Sequence, residues 1–250
     1  MMETVEITIN DKSVRVIKGT TLLSACRENN IHIPTLCYHE NLPPFAGCRL
    51  CLVEVRAGNG YKLVASCEYP VRKPEAFYTH SEKVLKSRRM TAALLVARAP
   101  ESRETLERIL QEPVKSRFEK LESANERCVM CGLCYRFCEQ QGTLAIYAMG
   151  RGEQKTISTP YGEANDACIM CGACAAVCPT GAIATRDTEA SREIWFQQTD
   201  LEACPICGKR HVPAKMVDFL RQKTDLPENE LRLCPECRRT VLAKKMLTFT

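Results

Sequence analysis

Cysteine dominates the chemistry this sequence offers, with 17 thiols in 250 residues, most of them in C-x-x-C groups. One longer group is duplicated. Cys128-x2-Cys131-Gly132-x-Cys134-x3-Cys138 returns forty residues later as Cys168-x2-Cys171-Gly172-x-Cys174-x3-Cys178-Pro179. Thiolates at this spacing wrap three corners of a cubane cluster with one tight loop, while the fourth cysteine reaches across to the other cluster. The expected ligands are Cys128, Cys131, Cys134 and Cys178 for one [4Fe–4S] cluster, and Cys168, Cys171, Cys174 and Cys138 for the second. Gly132 and Gly172 let the backbone approach closely and aim N–H groups at sulfur. Two zinc sites or a set of disulfides would use the same thiols, but two complete copies of cubane spacing weigh against both.

Two further quartets flank the repeat. Cys37-x10-Cys48-x2-Cys51-x15-Cys67 has a central C-x-x-C and a longer first gap than plant ferredoxins, and suits a [2Fe–2S] cluster. Cys204-Pro205-Ile206-Cys207 and Cys234-Pro235-Glu236-Cys237 resemble the knuckles of a zinc ribbon, with Gly208 suited to the first turn. A structural zinc is the favoured occupant; a further [4Fe–4S] cluster or a rubredoxin-like iron would use the same four thiolates, and His211 is a candidate replacement ligand. Cys26 remains, at helical spacing with Leu22 and Leu23, and reads as a core residue.

The elements that must hold these groups are legible in outline. Val5, Ile7 and Ile9, then Val14 and Val16, alternate about Asn10-Asp11, the pattern of a β-hairpin. Thr20-Thr21 offers an N-cap to a short helix, and the strand-like Leu52–Arg56 is followed by a Gly58-Asn59-Gly60 turn and a second strand. From Ser81 to Leu121 cysteine is absent, apolar residues recur at helical spacing, and Pro100 and Pro113 divide the stretch into helices. The expected class is α+β: a β-grasp [2Fe–2S] domain over 1–79, a helical linker over 80–124, a 2[4Fe–4S] ferredoxin domain over 125–187 and a small zinc-ribbon-like domain over 188–250. No run of about 18 apolar residues is present, so no membrane span is expected. Nor does the N-terminal sequence read as a signal peptide, which points to a cytoplasmic location and against structural disulfides.

Cys37-Tyr38-His39 and Gly47-Cys48-Arg49-Leu50-Cys51-Leu52-Val53-Glu54-Val55 are similar to the start of the large iron–sulfur subunit of respiratory complex I. They also resemble the small diaphorase subunit of NAD-linked hydrogenases and related formate dehydrogenase subunits. The resemblance covers roughly residues 3–187 and implies a β-grasp domain, helices and a dicluster module in that order. Such proteins usually hold one more [4Fe–4S] cluster through one His and three Cys. Here no cysteine occurs between Glu68 and Arg127, the corresponding stretch reads Ala99-Pro100-Glu101-Ser102-Arg103, and His80 stands alone as a surface or capping residue.

No G-x-G-x-x-G and no P-loop is present, so no nucleotide site or catalytic residue is evident. The expected function is electron transfer. Clusters in this chain would relay single electrons between a flavoprotein partner that handles NAD(P)H and a catalytic oxidoreductase subunit such as a hydrogenase or formate dehydrogenase. The alternative is a redox-sensing regulator using the C-terminal ribbon to bind nucleic acid or protein. The formal charge of +5 lies wholly in 204–250, with ten Lys/Arg against five Asp/Glu. Four occupied four-thiolate sites at roughly −2 each would bring the loaded chain to about −3, which weakens the nucleic-acid reading.

Overall fold

The computed structural model describes residues 3–57, 60–122 and 125–247. The turn expected at Gly58-Asn59 therefore lies outside the described residues. Two compact units result: Met1–Leu133 with Gly150–Thr156 and Pro179–Ala182, and Cys134–Met149 with Ile157–Cys178 and Ile183–Thr250.

In the first unit, β1 (Thr4–Ile9) and β2 (Lys12–Ile17) form the expected hairpin, turning at Asn10 and Asp11, both left-handed with φ of 48° and 65°. Asn and Asp tolerate that geometry better than other non-glycine residues. β3 (Leu52–Ala57), β4 (Gly60–Ala65) and β5 (Ala76–Tyr78) complete a five-stranded sheet ordered β2-β1-β5-β3-β4. Only the β1–β5 pair is parallel. Alternation puts Val5, Ile7 and Ile9 on one buried face. Against it packs α1 (Leu22–Glu28), whose N-cap Thr21 accepts from the Ser24 N–H. Cys26 is fully buried in this core, as its spacing predicts.

The cysteine-free stretch is helical from 82 to 110, as the periodicity predicts, but the described residues 111–122, on either side of Pro113, hold no helix. Ser81 caps α2 (Glu82–Arg98), Pro100 opens a single 3-10 turn, and α3 (Arg103–Leu110) ends at a left-handed Gln111. Ala92, Val96 and Leu106 of these helices share a second core with Leu36, Leu50 and Val129, neighbours in sequence of Cys37, Cys51 and Cys128. The helices thus brace the cysteine loops. His80 is exposed and its Nδ1 lies 2.6 Å from the Thr79 hydroxyl.

In each repeat a short helix begins one residue before the third cysteine and carries it: α4 (Leu133–Gln140) and α5 (Ala173–Ala176). Between them lie the short strands β6 (Tyr147–Met149) and β7 (Thr156–Ser158). Beyond the repeat, β8 (Arg186–Asp187), β9 (Ser191–Ile194), β10 (Gln197–Ala203) and β11 (Arg210–Pro213) form an antiparallel sheet in the order β11-β10-β9-β8. Three helices close the chain: α6 (Ala214–Lys223), α7 (Glu228–Leu231) and α8 (Pro235–Leu247). Among the described residues no helix is long and apolar enough to cross a membrane.

Candidate metal centres

The N-terminal quartet is set into the first unit's core. Cys37 follows α1, Cys48 and Cys51 lie on the loop entering β3, and Cys67 follows β4. Ala46 and Arg49 are left-handed, with φ of 53° and 58°, and curl the loop around its thiols. The sulfurs associate in two pairs. Cys48 N–H donates to Cys37 Sγ at 3.4 Å, and the Cys51 and Cys67 sulfurs stand 3.4 Å apart, far beyond a covalent bond. Within each pair one S–H donates to the other sulfur. Sharing a proton within each pair holds Cys48 down to about 6 and Cys51 to about 7, and pushes Cys37 and Cys67 up. Four thiols in two pairs, with no oxygen donor among them, fit a [2Fe–2S] cluster, which takes four cysteine thiolates.

Pattern reading missed a cation beside this quartet. Arg88 of α2 is only 3% exposed and donates to the carbonyl of Leu52, the residue after Cys51, at 2.7 Å. Its Nε has no hydrogen-bond partner among the described residues. Burial lowers Arg88 to about 10, opposed by the negative charge of Cys51, Cys26 and Glu112. A buried guanidinium with no carboxylate in ion-pair contact among the described residues calls for anionic surroundings. The sequence carried a signal: Arg88 stands in the i, i+4, i+8 row between Val84 and Ala92, on the apolar face of α2.

The duplicated loops share more than their cysteines. Met130 and Gly132 in one copy, and Met170 and Gly172 in the other, all have positive φ, of 53°, 77°, 60° and 76°. Alternating left-handed residues turn successive backbone N–H groups toward one concavity, the anion-receptive nest found at many iron–sulfur sites. Each copy also starts with the same Asn. The Asn125 side-chain oxygen accepts from the N–H groups of Arg127 and Cys128, and the Asn165 oxygen accepts from Ala167 N–H. Aligning the two copies reveals Asn125/Asn165 and Met130/Met170 as matched positions.

Cys138, Cys168, Cys171 and Cys174 line one cavity of the second unit, with Met170 and Ile194 as apolar wall. Ala145 N–H donates to Cys138 Sγ at 3.2 Å, and the indole N–H of Trp195 donates to Cys174 Sγ at 3.3 Å. Burial pushes Cys174 up to about 11, while the indole draws it back down. Arg192 donates to the carbonyls of Met170 and Cys171 at 3.3 and 3.2 Å and is held by Asp187 through bonds of 2.8 and 2.7 Å. A Cβ on Gly172 would come within 3.2 Å of that guanidinium. The converging thiols, the inward N–H groups and the dry wall fit a cubane cluster. Of the other predicted set, Cys128 and Cys131 belong to the first unit, and Cys134 and Cys178 to the second.

The C-terminal quartet converges on one point. The ligand atoms of Cys204, Cys207, Cys234 and Cys237 all lie within 4.8 Å of one another. The first knuckle is the β10–β11 turn, closed by Cys204 N–H to the Lys209 carbonyl and by left-handed Gly208. The second opens α8, where Cys237 N–H donates to Cys234 Sγ at 3.4 Å. Backbone N–H groups hold Cys204 down to about 6, while S–H donation pushes Cys237 up to about 12. His211 lies outside the quartet, its Nε2 3.0 Å from the Arg232 carbonyl. Four thiolates at about 2.3 Å from one tetrahedral ion would stand roughly 3.8 Å apart, so a single ion fits this set.

The sites define iron–sulfur protein architecture, and comparison with known proteins agrees. Residues 2–81 match the 2Fe-2S iron-sulfur cluster binding domain, and residues 123–185 match the 4Fe-4S dicluster domain. The chain is 29% identical over 219 residues to the NADH-ubiquinone oxidoreductase 75 kDa subunit of Reclinomonas americana, covering 78% of this chain and 31% of that protein. It is 27% identical over 228 residues to the NADPH-Fe(3+) oxidoreductase subunit alpha of Geobacter sulfurreducens, covering 82% of this chain and 27% of that protein. Among solved structures, a chain of an NAD+-reducing [NiFe]-hydrogenase in the H2-reduced state superimposes with a TM-score of 0.53 at 26% identity, covering 62% of this chain and 74% of that one. The chain spans about a third or less of the length of these two curated relatives. The resemblance to complex I and NAD-linked hydrogenase iron–sulfur subunits therefore holds, with 2Fe-2S and 4Fe-4S domains in the expected order.

Proposed function

We propose that this chain is the electron-relay subunit of an NAD(P)H-linked oxidoreductase complex. It would stand between a flavoprotein that handles NAD(P)H and a catalytic subunit of the hydrogenase or formate dehydrogenase kind. The [2Fe–2S] ligands are Cys37, Cys48, Cys51 and Cys67, in a β-grasp domain over 1–79. The cubane ligands are Cys128, Cys131, Cys134 and Cys178, and Cys168, Cys171, Cys174 and Cys138, in a ferredoxin domain over 125–187 that follows a helical linker over 80–124. Cys204, Cys207, Cys234 and Cys237 hold a structural zinc in a ribbon-like domain over 188–250. A cytoplasmic location goes with this reading.

The observation that carries the reading is the cavity lined by four thiols of the repeat, with an N–H donor on two of its sulfurs. Clusters bound at such sites supply one-electron transfer at potentials set by sulfur hydrogen bonds and solvent exposure. The chain's part is to fix the thiols, exclude water with Met170 and Ile194, and direct N–H groups at sulfur. The spacing of the C-terminal sulfurs supports zinc there, because a cubane distributes its thiolates over separate irons and so spreads them wider. The relatives named above are oxidoreductase subunits, and the regulator alternative draws no support from them.

Metal analysis of anaerobically purified protein tests this. The expected content is roughly ten iron and about one zinc per chain. A value of about two iron would overturn the dicluster assignment, and about fourteen iron without zinc would overturn the ribbon. Co-purification with a flavoprotein supports the relay role, whereas retention on DNA at moderate salt would favour the regulator.

A further inference from the structure

The hairpin that follows the dicluster repeat has the wrong residues for its own turn. β9 and β10 pair with Ile194 opposite Gln197, leaving Trp195 and Phe196 as a two-residue turn with φ of 51° and 63°. Such a turn favours Asn-Gly, and bulky side chains there are strained. The first unit's hairpin uses Asn10-Asp11 for the same geometry, so this fold has an easier solution available. Strain of this kind persists where the surroundings over-determine it, and it concentrates at functional sites.

The turn delivers two features to the repeat. Ile194 is 4% exposed and packs with Cys168 and Met170, and Trp195 joins the same cluster while directing its indole N–H to Cys174 Sγ at 3.3 Å. Two residues before Ile194 on the same strand, Arg192 clasps the carbonyls of Met170 and Cys171. All of these contacts come from residues beyond 185, where the match to the dicluster domain ends.

We infer that Trp195 is a tuning residue of the second [4Fe–4S] site, and that the β9–β10 hairpin is the lid through which the C-terminal segment sets that cluster's reduction potential. The inference rests on the proposed reading of Cys174 as a ligand. Reduction adds negative charge to the cluster and its thiolates, and an N–H donor on a ligand sulfur stabilises the more negative state. Removing the donor therefore favours the oxidised form. Trp195 acts through Cys174 and positions no substrate.

The test is a redox titration followed by EPR on full-length, anaerobically purified protein, with iron content measured in parallel. Trp195→Phe keeps the ring and removes the N–H. It should retain wild-type iron and lower the reduction equilibrium of one [4Fe–4S] couple by about tenfold, or ~59 mV for one electron, with the other couples unchanged. Wild-type iron with every midpoint unchanged overturns the inference. If Trp195→Phe loses iron, replacing Trp195 with the isosteric benzothienylalanine, which has sulfur in place of the ring N–H, repeats the measurement without a change in packing. Iron loss there too would make the indole part of cluster retention and overturn tuning. Cys174→Ser separates the two claims. Loss of one cubane's iron supports the ligand reading on which the inference stands, and unchanged iron overturns that reading together with the inference.

Discussion

The first quartet (Cys37, Cys48, Cys51, Cys67) and the last (Cys204, Cys207, Cys234, Cys237) present the same donors on opposite kinds of support. The first is embedded among Ile7, Ile9, Leu22, Val53, Val55 and Phe77, a core that includes Cys51 and Cys67 as two members of many. Around the last, the buried cluster consists of Cys204, Cys234 and Leu233, with Cys237 and Val241 against it. Burying a leucine stabilises by about 1.5–3 kcal/mol, whereas fixing the backbone costs roughly 1–2 kcal/mol per residue. A neighbouring cluster of Val212, Val217 and Leu231 adds a similar small amount. Apolar burial around the first quartet is far more extensive than around the last. A metal would therefore supply a larger share of the stability around the last quartet than around the first.

That contrast can be broken most directly at Cys204. Cys204→Ser, or removal of the proposed zinc by a chelator, should unfold the β10–β11 turn and α8 and erase several kcal/mol of local stability, since structural zinc supplies about 10–16 kcal/mol in small domains. Hydrogen exchange read peptide by peptide should then show lost protection over 204–247 and unchanged protection in β1–β5. Equal loss in both regions would break the comparison. Phe77→Ala attacks the other side and should cost the first unit about 3–5 kcal/mol, measured by denaturant titration of the metal-free chain. A much smaller cost would mean that this core, too, depends on its metal. Cys26→Ser places a hydroxyl in the same core, with an expected loss of about 1–3 kcal/mol. It should leave iron content at the wild-type value, and a fall in iron would make Cys26 a ligand. Arg88→Met should lower the [2Fe–2S] potential by an amount equivalent to about 1 kcal/mol, with Arg88→Lys restoring most of it. An unchanged potential would show that the buried guanidinium acts on folding alone.

How much of this was legible in the sequence follows from what kind of constraint each residue answers. The Asn10-Asp11 turn, the burial of Cys26 and the helices broken at Pro100 are set by local backbone chemistry and periodicity, and all appear where expected. The knuckles of the last quartet meet as their spacing predicts. What escaped were residues whose work is done across the chain. Arg88 looks like any helix arginine until Leu52 is placed beside it, 36 positions away. Trp195 lies 21 positions from Cys174, in a turn whose local preference speaks against it. Asn125 and Met130 fall between these cases. Each was recoverable by comparing the two copies, because backbone geometry that recurs needs residues that recur.

The placement of that indole has an optical consequence. Trp195 is the chain's sole tryptophan, so all indole emission from the protein originates 3.3 Å from one sulfur of one site. With a cubane on Cys174, as proposed, that cluster is the quencher in direct contact with the indole. During assembly or oxidative damage, the fading or return of this emission would be weighted toward that one site, while the absorbance of the whole chain sums over every cluster it carries.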